Sequence, residues 1–170
     1  PRTFSSAASD VYKRQVISSA IKKSNLKPSE IDEVIMGHVL TGGAGQNPAR
    51  QAAIESKLPK EIPSYVVNQV CGSGLRSIAS GYHSILSDNS NIVIAGGQES
   101  MSQAPHVVHL RNGKKLGDTE LVDSMIKDGL WDAFNGYHMG ITAENVAQQF
   151  QVTRKDQDKF AFESQSKALK

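Results

Sequence analysis

Apolar residues recur along the chain with two different periods, and these periods predict its helices and strands. A helical spacing runs from Val16 to Ile21, and after a break at "LKPSE" the run "EVIMGHVL" is typical of a buried strand. Two further runs, "SYVVNQV" and "NIVIAGG", are also predicted to be strands. The segment between them has the apolar spacing of an amphipathic helix, at Leu75, Ile78, Ala79, Tyr82, Ile85 and Leu86. Residues 64–97 are therefore predicted to form strand, turn, helix and strand, in an α/β fold with a mixed or parallel sheet and helical crossovers.

Three helix starts are predicted from capping residues. Asn47 stands before Pro48 at the end of the glycine-rich loop "TGGAGQNPAR", as a capping residue followed by a first-turn proline. Thr142 is flanked by apolar residues at the spacing of a hydrophobic staple, and Thr153 forms a capping-box pair with Asp156. We therefore expect two helices to close the chain, one after Thr142 and one after Thr153.

The two stretches without such regularity are interpreted differently. Residues 1–15, "PRTFSSAASDVYKRQ", show neither period and do not begin with methionine, so we expect a leader that is non-native or disordered. Residues 98–137 carry scattered charge and glycines, and are predicted to be an extended loop region with short helices. Loops this long in a compact domain usually serve function or contact a partner.

Composition excludes several classes of protein. A chain of 170 residues with 38% apolar residues is long enough for one domain with its own core. The net charge of +2 predicts no affinity for nucleic acid, and no apolar run is long enough to cross a membrane. The single cysteine excludes an internal disulfide and suits a reducing compartment. We expect a cytoplasmic protein that binds neither nucleic acid nor membrane.

Cys71, the single cysteine, lies in "NQVCGSGL", where a predicted strand turns into the predicted helix. A lone cysteine is most often inert packing. Here, however, the sulfur would lie near the positive end of a helix dipole, which stabilises a thiolate, and the neighbouring glycines would allow a substrate to approach closely. The position therefore favours a nucleophile.

"NQVCGSGL" resembles the nucleophile motif of the thiolase family, and four further segments match that family in order. They are "GQNPARQAA", "AGGQESMSQAPH", "DGLWDAFNGYHMG" and "ITAENVA". The details resemble the acetoacetyl-CoA, or acetyl-CoA C-acetyltransferase, branch. The resemblance implies a thiolase-type layered α/β/α domain with a mixed sheet and the nucleophile helix buried at its centre. It divides the chain into an N-terminal core at 16–97, a loop-domain region at 98–137, and the remaining loop domain with return helices at 138–170.

The same resemblance implies an acyltransferase that condenses two molecules of acetyl-CoA to acetoacetyl-CoA and CoA, or runs the reverse thiolysis. Cys71 would be the catalytic nucleophile that carries the acetyl group, and its N–H would form half of the oxyanion hole. Leu130, His138 and Met139 would bind substrate by lining the pantetheine pocket. No metal and no organic cofactor would be required, because coenzyme A thioesters are the substrates.

The resemblance also carries expectations about assembly and completeness. Thiolases are homodimers or homotetramers, and residues 46–50 would lie in the dimer interface, with Arg50 satisfying groups near the cysteine loop. The family's opening strand, second cysteine and late motifs are not found in this sequence. We therefore expect a truncated N-terminal half that lacks turnover by itself. The alternatives are a 3-ketoacyl-CoA thiolase of broader chain length and a non-catalytic homologue in which Cys71 only packs.

Overall fold

A computed structural model describes residues 7–169 of the chain, with side chains described from Arg14 onward. The α-helices are α1 (Ala7–Ser24), α2 (Pro48–Glu55), α3 (Ser73–Leu86), α4 (Met139–Gln149) and α5 (Arg154–Ala168). The strands are β1 (Glu33–Gly37), β2 (Ser64–Val67), β3 (Val93–Gly97), β4 (His106–Val107), β5 (Val122–Asp123), β6 (Trp131–Asp132) and β7 (Tyr137–His138). Short 3₁₀ turns span Pro28–Glu30 and Met101–Gln103, and a π-helical turn spans Met125–Leu130.

β1 is the central strand of a three-stranded sheet with the order β2-β1-β3. Both pairings are parallel: Val34 pairs with Ser64 on one side, and Gly37 pairs with Gly97 on the other. The path from β1 to β2 runs across the sheet in the opposite direction to the path from β2 to β3. Right-handed crossovers therefore place α2 and α3 on opposite faces. The layered α/β fold is confirmed, but every pairing in this described sheet is parallel, because each connection between its strands is a helical crossover.

The apolar core lies on the face of the sheet that carries α1 and α2. Successive side chains of a strand point to opposite faces, so Val34 and Met36 enter this core while Ile35 and Gly37 face α3. Val34 and Ile35 are both fully buried, as expected for a central parallel strand. The buried core residues are Ile17, Ile21, Ile31, Val34, Met36, Ala49, Ala52, Ala53, Leu58 and Ile62.

α3 contacts the sheet through small residues rather than through its apolar stripe. Its buried residues are Ser73, Ser77 and Gly81. The residues whose spacing predicted the helix are largely exposed, with Leu75 at 74% and Ile78 at 53%. The helix is therefore confirmed, but among the described residues only one side of it is buried. A sheet approached this closely accepts only small side chains, so the apolar stripe remains on the outside.

Capping residues set the helix starts, with one exception to the prediction. Asn47 Oδ1 accepts a hydrogen bond from the Arg50 N–H, and α2 begins at Pro48 as predicted. Thr153 and Asp156 form the predicted capping box at the start of α5. The start predicted at Thr142 is wrong, because α4 begins at Met139.

The chain divides into two compact units, one ending at Gly129 and the other beginning at Leu130. The second unit contains the β6–β7 hairpin followed by α4 and α5. The boundary between the units lies inside the predicted loop region, and the predicted division at 16–97, 98–137 and 138–170 stays a prediction.

The leader predicted at residues 1–15 is in part helical, because α1 begins at Ala7 and runs without a break into the segment that carries Ile17 and Ile21. Residues 7–15 thus belong to a helix, and the expectation of disorder for the leader stays a prediction. Residues 1–6 lie outside the described part of the chain, and the idea that the segment is non-native stays a prediction.

Candidate active site

Cys71 lies in the turn that joins β2 to α3, and its side chain is exposed. β2 ends at Val67 and α3 begins at Ser73, so the predicted order of strand, turn and helix is confirmed. The cysteine precedes the helical N-cap residue, Gly72, by one position. The turn thus presents the sulfur to solvent beside the first turn of a 14-residue helix. The unpaired N–H groups at such a helix end favour negative charge nearby.

Val70, the residue before Cys71, has a left-handed backbone conformation, with φ of +48°. A β-branched residue in this region is a genuine outlier. Hydrogen bonds fix the peptide groups around it: the Val70 N–H donates to Asn68 Oδ1 at 2.9 Å, and the Gly72 N–H donates to the Gln69 carbonyl at 3.0 Å. Residues 68–73 therefore form a tight turn, the elbow, with a strained residue directly before the cysteine.

Glycines allow the first turn of α3 to lie directly against the ends of β1 and β3. A Cβ atom added to Gly37 would lie 2.3 Å from the Ser73 carbonyl carbon and 2.4 Å from the Gly74 nitrogen. A Cβ added to Gly97 would lie 3.5 Å from the Gly74 Cα atom. Backbone therefore packs on backbone here, and the position of the cysteine turn relative to the sheet is set without intervening side chains.

A polar cluster of His38, Gln98 and Glu99 follows β1 and β3 at the same sheet edge as the cysteine turn. His38 is 3% exposed; its Nε2 lies 3.1 Å from Glu99 Oε1, and its Nδ1 lies 3.3 Å from Gln98 Nε2. The Glu99 carboxylate also accepts the N–H groups of Val39 and Leu40, at 2.9 and 3.1 Å. The cluster ties the loop after β1 to the loop after β3.

Sequence reasoning missed this cluster, although a signal for it was present. Gln98 comes directly after the predicted strand "NIVIAGG", and His38 lies near the end of the predicted strand "EVIMGHVL". The carboxyl ends of parallel strands meet at one edge of a sheet, where α/β proteins bind ligands. A cavity of about 400 Å³ opens at this edge, lined by His38, Thr41, Gly45, Asn47, Pro48, Val66 and Asn68. The loops that follow β1 and β2 therefore border an open cavity beside the turn.

The hydrogen bonds of the Arg50 guanidinium go elsewhere than to the cysteine turn, where they were expected. Its guanidinium donates to the Ile62 carbonyl at 2.7 Å and to the Lys60 carbonyl. These carbonyls belong to the segment that leads into β2, so Arg50 joins α2 to the entry of that strand. A charged donor on two backbone carbonyls is a strong structural contact.

The other predicted site residues, Leu130, His138 and Met139, lie in the second unit. Leu130 is half-buried at the end of the π-helical turn, and Met139 is the half-buried first residue of α4. His138 is exposed and caps α4, because its Nδ1 accepts the Gly140 N–H at 3.0 Å. With Nδ1 accepting, the proton of the neutral ring is on Nε2. Cys71 lies in the first unit, and the substrate-binding roles of these three residues stay predictions.

The turn between β6 and β7 is held by Asp132. Its Oδ2 accepts the Asn135 side-chain amide at 2.7 Å, and its Oδ1 accepts the N–H groups of Asn135 and Phe134 at 2.9 and 2.8 Å. These bonds, the one from the Asn135 side chain foremost, lower the pKa of Asp132 below its ordinary value. They favour the ionised carboxylate, so the charged form stabilises the hairpin that carries His138.

Acid is therefore expected to loosen this hairpin. Because the folded pKa is the lower one, the stabilisation is complete above the unfolded value of about 4 and disappears as pH falls through the folded value. In an NMR titration, the Asp132 carboxyl carbon and the Phe134 and Asn135 amide protons should titrate together, with a midpoint below that of a free aspartate. An ordinary midpoint would contradict the expectation. Asp132→Asn is the control: it keeps an Oδ1 acceptor and should abolish the titration of both amides.

The described residues form neither a cluster of metal-ligating side chains nor a membrane-spanning helix. Within residues 7–169, and among the side chains described from Arg14 onward, no three His, Cys, Asp or Glu side chains form a group that could hold a metal ion. Over the same residues, no helix combines the length and the apolar composition needed to cross a bilayer. The expectation that neither a metal nor an organic cofactor takes part stays a prediction.

Comparisons with known proteins agree with the motif order. A family model described as "Thiolase, N-terminal domain" matches residues 2–170. The chain is 55% identical over 152 residues to an acetyl-CoA acetyltransferase of Rhizobium meliloti (strain 1021), a match that covers 89% of this chain and 39% of that protein. It is 54% identical over 153 residues to an acetyl-CoA acetyltransferase of Paracoccus denitrificans, covering 90% of this chain and 39% of that protein.

A solved structure gives the same result for the fold. The crystal structure of the Bacillus anthracis acetyl-CoA acetyltransferase superposes with a TM-score of 0.85 at 35% sequence identity, covering 91% of this chain and 39% of that one. The chain thus spans about 39% of the length of each of these similar proteins.

Proposed function

Since this chain belongs to the thiolase family by its N-terminal domain, we propose that it supplies the nucleophile of an acyl transfer, in which Cys71 accepts an acetyl group from acetyl-CoA. The observation that carries the proposal is the exposed cysteine in a strained elbow beside the first turn of α3. The similarity to acetyl-CoA acetyltransferases supports acetyl as the group transferred.

The proposed step exchanges one thioester for another. The Cys71 sulfur, as thiolate, attacks the thioester carbonyl carbon; the new carbon–sulfur bond forms, the bond to the CoA sulfur breaks, and CoA leaves as a thiolate that takes up a proton. Attacking and leaving thiols are chemically alike, so the exchange is close to thermoneutral. Negative charge on the carbonyl oxygen in the transition state would be stabilised by the Cys71 N–H, at the N-terminal end of α3.

The half-buried pair Leu130 and Met139, with the exposed imidazole of His138, would contact the pantetheine arm. Apolar, adaptable side chains suit a thioether and a methylene chain. In this assignment His138 binds substrate through Nε2, because Nδ1 already accepts the Gly140 N–H.

In the complete protein we propose that the acetyl-cysteine reacts with a second acetyl-CoA to give acetoacetyl-CoA, or that the sequence runs in reverse. The second step needs a base to remove a proton from the methyl group beside the carbonyl, and thiolases use a second cysteine for it. Because this chain has one cysteine, it is expected to stop at the acetyl-cysteine. Sustained formation of acetoacetyl-CoA by the purified chain would contradict this.

The test is the intact mass of the purified chain after incubation with acetyl-CoA, followed by peptide mapping and hydroxylamine treatment. We expect one hydroxylamine-labile acetyl group on Cys71, because a thioester is cleaved by that reagent and an acetyl-lysine amide is not. The matched control is a synthetic peptide, VVNQVCGSGL, which has the same thiol without the fold. Acetylation of the folded chain no faster than the peptide would refute the proposal, and resistance to both acetyl-CoA and iodoacetamide would favour the non-catalytic homologue.

A further inference from the structure

The strained conformation of Val70 raises the question of what holds it in place. An isolated valine avoids the left-handed region because its Cβ atom crowds its own backbone. Such a conformation persists only where the surroundings over-determine it, and it is found most often at functional sites. The surroundings of Val70 are therefore expected to contain a group that holds its left-handed conformation through hydrogen bonds to the neighbouring backbone.

The Ser73 side chain is that group. It is 4% exposed, and its hydroxyl makes two short hydrogen bonds to the elbow. The Gln69 N–H donates to Ser73 Oγ at 2.8 Å, and Ser73 Oγ donates to the Val70 carbonyl at 2.6 Å. The Ser73 N–H also donates to the same carbonyl, at 3.1 Å. The hydroxyl thus accepts from the Gln69 N–H, before Val70, and donates its only proton to the carbonyl of Val70 itself.

These contacts determine where Cys71 points. The carbonyl that Ser73 holds belongs to the peptide bond between Val70 and Cys71, so the hydroxyl fixes the plane from which the cysteine begins. If Val70 relaxed to the extended region, this peptide plane would rotate and carry Cys71 away from the first turn of α3. Among the hydrogen bonds of the described residues, no other side chain donates to the Val70 carbonyl.

We propose that Ser73 is a positioning residue: its buried hydroxyl holds Val70 in the left-handed conformation and so keeps the Cys71 sulfur beside the N-terminal end of α3. The proposal rests on the proposed role of Cys71 as the nucleophile. Ser73 does not touch the reacting atoms and acts only through the backbone of the elbow.

The test compares three variants with the unsubstituted chain: Ser73→Ala, Ser77→Ala, and Ser73→Ala combined with Val70→Gly. All rates are measured at one temperature at which every chain is folded. Ser77 is the matched control, since it is a fully buried serine one turn further along α3. Its Oγ lies 2.7 Å from the carbonyl oxygens of Gly74 and Gly96, and among the hydrogen bonds of the described residues it makes none to residues 69–71. The rates of Cys71 acetylation by acetyl-CoA and alkylation by iodoacetamide are measured together with the thermal midpoint.

Ser73→Ala is expected to slow acetylation at least about tenfold, since a misplacement of about 1 Å can cost about a hundredfold. Its alkylation should slow as well. Ser77→Ala should lower the thermal midpoint and leave both rates unchanged. Adding Val70→Gly to Ser73→Ala should restore the rates, because glycine adopts the left-handed conformation without strain.

Two outcomes would overturn the proposal: a folded Ser73→Ala chain that reacts at the original rate, or a slow one that Val70→Gly does not rescue. If Ser73→Ala does not fold, NMR of the unsubstituted chain decides instead. A slowly exchanging Ser73 hydroxyl proton and a positive φ at Val70 support the proposal, and the absence of either refutes it. If the unsubstituted chain takes up no acetyl group, the proposed function fails, while the alkylation rates still test the role of Ser73.

Discussion

Replacement of Cys71 by serine is expected to abolish acetyl transfer from acetyl-CoA to the chain. The substitution exchanges sulfur for oxygen and leaves the rest of the side chain unchanged, but a serine hydroxyl needs an adjacent base to become a nucleophile. Only a small fraction of an ordinary thiol is ionised near neutral pH, but the thiolate is intrinsically a very strong nucleophile. The variant should therefore show no acetyl group on the peptide that contains residue 71, by the same mass measurement.

Folding should be unaffected by this substitution. Cys71 is exposed, and exposed substitutions usually change the free energy of unfolding by no more than about 0.5 kcal/mol. A thermal midpoint equal to that of the unsubstituted chain therefore serves as the control. Acetylation of Cys71→Ser at the original rate would show that label enters elsewhere, and Cys71 would lose its assigned role.

Replacement of Gly37 by alanine is expected to cause the largest loss of stability of any single methyl group added to the sheet. The new Cβ would lie 2.3 to 2.5 Å from the Ser73 carbonyl group and the Gly74 nitrogen, all of which are backbone atoms that cannot rotate away. Overpacking costs about 1–3 kcal/mol and occasionally more. We expect a fall of at least about 3 kcal/mol in the free energy of unfolding, because relief of this clash requires the start of α3 to move off the sheet.

Gly96→Ala is the matched control for Gly37→Ala. Gly96 lies one residue before the end of β3, and no atom lies within 4 Å of the position of its added Cβ. Alanine at a compatible glycine position stabilises by about 0.4–1 kcal/mol, because it restricts the unfolded chain. Both variants are compared by urea unfolding followed by far-UV circular dichroism, since the single tryptophan, Trp131, lies in the second unit and β1 lies in the first. Equal unfolding midpoints for the two variants would contradict the contact between β1 and α3.

The two substitutions test different parts of one arrangement. Cys71 supplies the proposed chemistry, whereas Gly37 allows the helix that follows the cysteine to pack against the sheet. A Gly37→Ala chain that remains folded should also react more slowly at Cys71, because displacement of Ser73 would disturb the elbow. Stability and reactivity should therefore fall together in Gly37→Ala and separate in Cys71→Ser.

Local features of the fold could be predicted because their causes are local. β1, β2 and β3 follow from apolar runs of the right length, and α2 and α5 begin directly after the residues whose side chains cap them, Asn47 and Thr153. The prediction failed at Thr142 because His138 supplies the cap of α4 through an imidazole nitrogen, a role that sequence preferences assign to Ser, Thr, Asp and Asn.

The candidate site could be predicted only in part. Cys71 was identified from its position between a strand and a helix, and from motifs that resemble the thiolase family. The His38, Gln98 and Glu99 cluster was not, because Glu99 lies about 60 residues from the backbone N–H groups that it accepts. Such a contact exists only after β1 and β3 have paired in parallel. The burial of Ser73 could not be predicted for a similar reason, because it depends on the packing of the first turn of α3 against Gly37, at the end of β1.

The sequence by itself determined the order β1, α2, β2, α3 and β3, the turn that carries Cys71 and the family. These depend on short-range periodicity, on capping and on motifs, all of which are written along the chain. The tertiary structure alone decided that α3 lies on the sheet through Ser73, Ser77 and Gly81, with its apolar stripe outward. The physical reason is distance: where backbone meets backbone at Gly37 and Gly97, only the smallest side chains fit, and steric exclusion outweighs the hydrophobic preference that the sequence displays.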